Sequence, residues 1–248
     1  MDQLKREIEA NFDKFSEDWK QKMLEAMADL DKSQDIYLKS YARLTSLQTW
    51  RNHLDSRISS GSLAFFLEAQ NDALVSHVLA RLGSWRSALK SLRSCIENTL
   101  FCLFYMDHPI ELQQWHLGAH RLGFTETITY FERHPQVITV NLQLTGIPRL
   151  KEEYSTLSKA VHGSAKSFRM TVDVQSTLLW SQVVSHLGAW ATREQRTVAS
   201  LNLLLLTLFR DQLHGTSFLD LRRTVSLAVP TQKYPQIRAE LGISLPRS

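Results

Sequence analysis

Glycine and proline are scarce in this chain: the 248 residues include 9 glycines and 6 prolines, below the average usage of either residue. This scarcity favours long helices with short connections over a turn-rich β fold. No uninterrupted apolar run approaches the roughly 20 residues that a membrane-spanning helix needs. The first twelve residues mix both charges and contain no apolar signal core. We therefore expect a cytoplasmic protein that is neither secreted nor embedded in a membrane.

Cysteine is also rare, and the motifs of several enzyme classes are absent. Cys95 and Cys102 lie seven residues apart on one predicted helix, an unfavourable geometry for a disulfide, so reduced thiols in a cytoplasmic core are expected. No phosphate loop, dinucleotide fingerprint, zinc-type cysteine pair or nucleophile elbow is present. His116 and His120 have the spacing that can hold a metal ion, but no third ligand is close in sequence. The sequence thus predicts no metal and no other cofactor.

The net charge of +4 conceals an uneven distribution. Residues 1–35 contain six basic and ten acidic side chains, a net charge of −4, so the remaining residues carry 23 basic and 15 acidic side chains, a net charge of +8. A basic body with an acidic first helix can attract phosphates while masking part of its own surface. Ordinary solvated surface charge is the alternative explanation.

Apolar residues recur every three or four positions through the first 58 residues, which predicts two amphipathic helices. The first apolar stripe comprises Leu4, Ile8, Phe12, Phe15, Trp19, Met23, Met27 and Leu30, and the second comprises Tyr37, Leu44, Leu47, Trp50, Leu54 and Ile58. We expect residues 1–58 to pair as a helical hairpin of the coiled-coil type. One continuous helical domain, with the hairpin integral to the core, is equally compatible with the pattern.

The rest of the chain is predicted to form a helical core over residues 62–226 and a proline-containing tail over residues 227–248. The predicted helices of this part cover residues 62–82, 84–107, 110–134, 148–162, 176–192, 194–213 and 217–225. Residues 137–144 and 170–174 alternate enough to be short strands, and a bent helix start is the alternative for residues 137–144. The fold class that follows is all-α: a multi-helix bundle preceded by a hairpin.

Residues 84–109 form the most distinctive predicted helix, because three kinds of side chain occupy three separate faces. The charged face carries Arg86, Lys90, Arg93 and Glu97; the small polar face carries Ser87, Ser91, Ser94 and Asn98; the apolar face carries Trp85, Leu89, Leu92, Ile96, Leu100 and Leu103. An ordinary surface helix needs only one apolar and one mixed polar face. The row of small polar residues indicates the close approach of another helix, or a polar cleft.

A second informative segment is YSTLSKAVHG, residues 154–163. Tyr154, Ser158 and His162 fall on one helical face, and the glycine at 163 leaves the histidine in the last turn, where the helix dipole favours an imidazolium. Lys166 and Arg169 follow closely. A histidine flanked by cations suits acid–base chemistry on a phosphodiester. A structural cap on exposed carbonyl groups is the alternative role.

These two segments together resemble the HEPN-like helical proteins of bacteria over about residues 62–190. The resemblance rests on Arg93, Ser94, Glu97, Leu100, Leu103 and Tyr105, then on Tyr154, Leu157, Ser158, Val161 and His162. It implies an all-α, commonly dimeric protein of a toxin–antitoxin or phage-defence system. Catalytic members are metal-independent ribonucleases that use an arginine and a histidine. This chain departs from the pattern, since no arginine stands four to six residues before His162, and Arg86 or Arg93 would have to supply the cation.

The predicted function is that of a defence or toxin–antitoxin effector or adaptor that binds RNA or a nucleic-acid-containing complex. If the chain is a ribonuclease, the resemblance implies His162 as the acid–base group, Arg86 or Arg93 as the phosphate-stabilising cation, and Glu97 as an orienting residue. The predicted RNA contacts are Lys90, Asn98, Tyr154, Ser158, Lys166 and Arg169. The alternative is a non-catalytic interaction module for a partner protein encoded nearby. Either protein is expected to be a homo-oligomer, with a dimer favoured.

Overall fold

The computed structural model describes residues 2–162, 184–213, 215 and 218–247. Helices occupy most of these residues, and none of them lies in a strand, which confirms the predicted all-α bundle. The helices are α1 (Asp2–Leu30), α2 (Gln34–Leu54), α3 (Ser60–Arg81), α4 (Trp85–Asp107), α5 (Pro109–His116), α6 (Phe124–Glu132), α7 (Pro135–Ile138), α8 (Ile147–His162), α9 (Val184–Phe209), α10 (Leu219–Ala228) and α11 (Tyr234–Leu241). Among the residues described, no helix has the length and apolar character to cross a membrane.

One hydrophobic core joins α2, α3, α4, α8, α9, α10 and the C-terminal segment. Helix α9 is buried on every side over residues 197–209, so it occupies the centre of the bundle. All six residues of the apolar face of α4 are buried, as predicted, and α4 packs mainly against α3. Both cysteines are buried free thiols on α4, and burial raises the pKa of each of them.

Helix α1 departs from the predicted hairpin, because it does not pack along α2. Its apolar stripe contacts the body only near its C-terminal end, where Ala26 and Leu30 are fully buried. Toward the N-terminus the same stripe is bare, and Phe12 and Phe15 are 65% and 54% exposed. A short 3-10 turn joins α1 to α2, whose own apolar stripe is buried in the main core. Helix α2 thus belongs to the common core, in line with the alternative that the first 58 residues are not a separate unit.

Several other predicted elements differ in detail. Residues 137–144 are the end of α7 and a series of turns rather than a strand, while residues 170–174 lie outside the described residues. The predicted helix over 110–134 is two helices, α5 and α6, separated by the loop 117–123. The boundary predicted near residue 193 does not exist, since α9 runs through it unbroken. The proline-containing tail includes α11, and Ile237, Leu241 and Ile243 are buried in the common core.

Candidate site between helices α4 and α8

The charged face of α4 lies against α8. At its upper end, Arg86 donates two hydrogen bonds, both of 3.0 Å, from Nε to the carbonyl oxygen of Ala160 and from Nη2 to that of Val161. The last carbonyl groups of a helix have no partner within the helix, and they carry the negative end of its dipole. A guanidinium from another helix satisfies both requirements. Arg86 therefore caps the C-terminal turn of α8.

Two turns further along α4, Arg93 reaches a different part of α8. Its Nε donates to the hydroxyl of Ser158 at 3.2 Å, and its Nη2 donates to Glu97 Oε1 at 2.9 Å and to the hydroxyl of Tyr154. The hydroxyl of Tyr154 in turn donates to Glu97 Oε1 at 2.8 Å. The guanidinium carbon lies 4.7 Å from the centre of the tyrosine ring, within the range of a cation–π contact. We call Arg93, Glu97, Tyr154 and Ser158 the α4–α8 cluster.

The aromatic ring of Tyr154 is held from its other side by α6. Phe124 stacks on it with ring centres 3.6 Å apart and an angle of 2° between the planes. Burial raises the pKa of the Tyr154 hydroxyl, and its hydrogen bond to the Glu97 carboxylate acts in the same direction. The tyrosine is therefore a neutral hydrogen-bond donor and acceptor near pH 7, fixed in one orientation by the stack.

Helix α8 is anchored on its opposite face by ion pairs to α9. Glu153 is fully buried, and its carboxylate accepts hydrogen bonds from Arg193 at 2.9 Å and 3.1 Å, while Arg196 lies at 3.5 Å. Before the first turn of α8, Gly146 has a positive φ of 79°, and a β-carbon at this position would overlap the backbone of Ser200 on α9. These contacts fix the position at which Tyr154 and Ser158 face α4.

His162 is the last residue of α8, and its side chain is exposed. Arg86 of α4 binds the carbonyl group of Val161, the residue immediately before His162, so a guanidinium and an imidazole lie at the same end of α8. Along the α4 stripe, Arg86, Lys90 and Arg93 provide three positive charges against the single carboxylate of Glu97. Lys90 is exposed, whereas Arg86 and Arg93 are half-buried. An edge with this excess of positive charge can attract a phosphate group.

One predicted site residue of the described part, Asn98, is not part of this arrangement. Asn98 faces α3 instead, where its amide donates to the carboxylate of Asp72 at 2.8 Å. Burial raises the pKa of Asp72, and the hydrogen bonds from Asn98 and Ser94 partly offset that effect. Lys166 and Arg169 lie outside the described residues. The small polar face of α4 therefore packs toward a neighbouring helix, and the RNA contact predicted for Asn98 stays a prediction.

The residues that support the cluster are not apparent from the sequence. Phe124, Glu153, Arg193 and Arg196 carry no motif, and only the structure brings them together. A weak signal existed in Glu153, which lies between Leu150 and Leu157 on the apolar side of α8. A charged residue at a buried position needs an ionic partner, but the sequence does not indicate which residues supply it.

Neither of the predicted metal candidates has a metal-like environment. His120 pairs through Nδ1 with the hydroxyl of Tyr105 at 3.1 Å, and His116 is exposed at the end of α5. Within the described part of the chain, no three His, Cys, Asp or Glu side chains are grouped so as to hold a metal ion.

Comparisons with protein-family models, curated proteins and solved structures find no match to this chain. The candidate site is therefore argued from its own geometry.

Proposed function

We propose that this chain is a HEPN-like RNA-binding protein of a bacterial defence or toxin–antitoxin system, and that the edge formed by α4 and the end of α8 is its RNA-binding surface. The observation that supports this proposal best is the pair of hydrogen bonds from Arg86 to the last turn of α8, which ends in the exposed His162. In this proposal Arg86 of α4 supplies the cation, because the sequence has no arginine shortly before His162.

The same edge has the groups for metal-independent RNA cleavage. His162 would remove the proton from a ribose 2′-hydroxyl, and the 2′-oxygen would attack the adjacent phosphorus. The bond from phosphorus to the 5′-oxygen would break, leaving a 2′,3′-cyclic phosphate and a 5′-hydroxyl that takes its proton from the imidazolium. Arg86 would stabilise the extra negative charge on phosphorus. Arg93 is less available, because it is paired with Glu97 and Tyr154.

The decisive experiment is RNA cleavage by the purified chain in the presence of EDTA, with analysis of the new ends. We expect His162→Ala to abolish cleavage and leave the melting temperature within a few degrees of the original. His116→Ala is the matched control, since His116 is also an exposed histidine at the end of a helix. Full activity in folded His162→Ala protein would eliminate the catalytic role and leave RNA binding as the function to test.

RNA binding can be tested separately by filter binding at several salt concentrations. The excess of basic residues outside residues 1–35 predicts that log affinity falls linearly with log salt, as expected for release of counterions from phosphates. Lys90→Ala should reduce the magnitude of this salt slope by about 1, the value for one phosphate contact, because Lys90 is exposed on the charged face of α4. Absence of any RNA affinity at low salt would refute the RNA-binding proposal.

The second candidate is a non-catalytic interaction module, and one observation favours it. The bare apolar stripe of α1 offers Leu4, Ile8, Phe12 and Phe15 to a partner, which an isolated enzyme does not require. A protein encoded next to this chain, or a second copy of it, would cover the stripe. Pull-down of the neighbouring gene product by the full chain, and its loss on deletion of residues 2–22, would support this alternative.

A further inference from the structure

The surface of the body carries an apolar groove between α2 and α3. Its volume is about 260 Å³, and its walls include Tyr41, Thr45 and Gln48 of α2 with Gln70 and Leu74 of α3. Exposed apolar side chains extend the same surface beyond the groove walls, namely Leu38 on α2 and Leu67 and Val78 on α3. We call this surface the α2–α3 groove. It shares no residue with the α4–α8 cluster or with the proposed RNA-binding surface.

The apolar residues of the α2–α3 groove form a stripe on each helix that faces solvent. Leu67, Leu74 and Val78 follow one another at i, i+7 and i+11 on one face of α3. Tyr41 is 58% exposed and Val78 is 54% exposed. The core-facing residues of both helices, such as Trp50 and Phe66, are buried separately. An apolar surface in addition to the core stripe marks an interaction site.

The bare part of α1 has the form of a helix that can bind in such a groove. We call residues 4–15 of α1 the arm; its exposed apolar side chains are Leu4, Ile8, Phe12 and Phe15. The arm stripe covers about 16 Å along the helix axis. The stripe from Leu67 to Val78 on α3 has the same spacing in the sequence and therefore the same length. Amphipathic helices bind apolar grooves through side chains spaced in this way.

The arm does not occupy the groove of its own chain, because both surfaces are exposed in one and the same structure. The base of α1 is held elsewhere: Ala26 and Leu30 are fully buried, and Arg81 donates a hydrogen bond of 2.6 Å to Asp31 in the turn between α1 and α2. A chain that carries both an arm and a groove is complementary to a second copy of itself. Reciprocal exchange of the two arms closes a symmetric dimer.

The buried area favours this exchange over the pairing of two arms with each other. If about 200 Å² is taken for each large side chain, the arm and the groove each expose about 500 Å² of apolar surface. Two reciprocal contacts would bury up to about 2,000 Å² in total, within the range of stable, specific interfaces. Two arms paired with each other would bury up to about 1,000 Å², the lower limit for such an interface.

We propose that this chain forms a dimer in which the arm of each copy lies in the α2–α3 groove of the other. The side chains that line the groove are all neutral, so the groove suits the apolar stripe of a helix and offers nothing to the phosphates of a nucleic acid. The dimer is independent of RNA binding, since other helices form the RNA-binding surface.

The test is light scattering of the full chain and of matched variants at micromolar concentration. We expect the full chain to be a dimer, and we expect Phe12→Asp on the arm and Tyr41→Asp in the groove each to give a monomer. Each substitution places a carboxylate in both reciprocal contacts. Leu117→Asp is the control and should stay dimeric, because Leu117 is an exposed leucine just after α5. Pairing of two arms with each other would instead leave Tyr41→Asp protein dimeric.

A mixture of the two variants tests the reciprocity of the exchange. The Phe12→Asp chain keeps an intact groove and the Tyr41→Asp chain keeps an intact arm, so a mixed dimer retains one complete contact. A fluorescently labelled Phe12→Asp chain should therefore bind the Tyr41→Asp chain at least tenfold more tightly than it binds itself. Equal affinities would overturn the proposal.

Folding is monitored by the melting temperature of every variant. Val78→Asp repeats the groove test from α3, so the result does not depend on one substitution at position 41. A full chain that is monomeric at micromolar concentration would overturn the proposal. The same holds if the groove variants melt like the original chain and remain dimeric.

Discussion

The guanidinium of Arg86 donates a hydrogen bond of 3.0 Å to the carbonyl oxygen of Val161, the residue directly before His162. The two residues are 75 positions apart in the chain. The contact satisfies a helix end that would otherwise need water, and it brings a positive charge to the turn that carries the histidine. Capping and site formation are thus two consequences of one contact.

Replacing Arg86 should destabilise the end of α8. Arg86→Met removes both hydrogen bonds and keeps much of the side-chain volume, so we expect a loss of about 1.5–3 kcal/mol in the free energy of unfolding, the range for hydrogen bonds to a charged group. Amide hydrogen exchange should accelerate in the last turn of α8. Lys90→Met, on an exposed position of the same face, should change stability by less than about 0.5 kcal/mol. Equal effects of the two substitutions would contradict the capping role.

Tyr154 should contribute to stability through its hydroxyl and its ring separately. Tyr154→Phe removes the hydrogen bonds with Glu97 and Arg93 but retains the stack on Phe124, so we expect a cost of about 1 kcal/mol. Tyr154→Leu also removes the stack, which adds about 0.5–1.5 kcal/mol. Urea denaturation of both variants measures the difference. A Tyr154→Phe protein as unstable as Tyr154→Leu would mean that the hydroxyl, and not the stack, dominates.

The buried ion pair between Arg43 on α2 and Glu194 on α9 should be costly to break from one side only. Glu194 is 1% exposed and accepts from both Nε and Nη2 of Arg43. Burial raises the pKa of Glu194 to about 7, and Arg43 opposes this rise. Glu194→Leu leaves the arginine charge buried and should cost about 3–5 kcal/mol. The double variant Arg43→Met, Glu194→Leu should recover most of that loss; a double variant less stable than either single one would refute this account.

His53 should make the protein less stable in mild acid. Its pKa is lowered from 6.5 to about 4 in the folded chain, chiefly by burial, so the unfolded chain takes up a proton first as the pH falls. Stability from this group is complete above pH 6.5 and is lost between pH 6.5 and pH 4, by up to about 3 kcal/mol. His53→Phe should flatten this part of the profile of unfolding free energy against pH. Parallel profiles of the two proteins would show that His53 does not titrate in this way.

The exposed half of α1 should be dispensable for folding and important for association. Deletion of residues 2–22 removes the bare apolar stripe, and we expect it to leave the melting temperature nearly unchanged. Light scattering at micromolar concentration should then show a smaller particle than the full chain. Deletion of residues 1–58 should instead prevent folding, because Leu47, Trp50 and Leu54 of α2 belong to the core. A full chain that is already monomeric would refute self-association through α1.

Periodicity predicted the helices and the faces of α4 from the sequence, because burial of an apolar stripe depends only on local spacing. That Arg86 or Arg93 supplies the cation for His162 was a hypothesis that required two distant segments to meet. The structure brings them together, whereas the catalytic and RNA-binding roles stay predictions. Nothing in the order of residues indicates which face of α4 meets α8 and which meets α3, and this is why the contact of Asn98 with Asp72 on α3 could not be predicted.

The predicted strand over residues 137–144 and the predicted pairing of the first two helices differ from the structure for physical reasons. Residues 137–144 alternate like a strand, but Pro135 starts a helical turn there, with His134 accepting a hydrogen bond from the amide of Gln136. The first two helices were expected to cover each other because both are amphipathic. Trp50 instead donates a hydrogen bond to Asn202 on α9, at 2.9 Å, so tertiary contacts take α2 into the core, while Phe12 and Phe15 of α1 stay exposed.

The position of α8 depends on close packing at Gly146, which lies at the opposite end of the helix from His162. The helix that begins beside this glycine has 16 residues, a length of about 24 Å, and the ion pairs of Glu153 lie between its two ends. A side chain at position 146 would push the first turn away from Ser200. Because Glu153 is held by its ion pairs, the helix would tilt about that position. The turn that carries His162 would then move in the opposite direction. The absence of a side chain at Gly146 is therefore one determinant of where His162 lies.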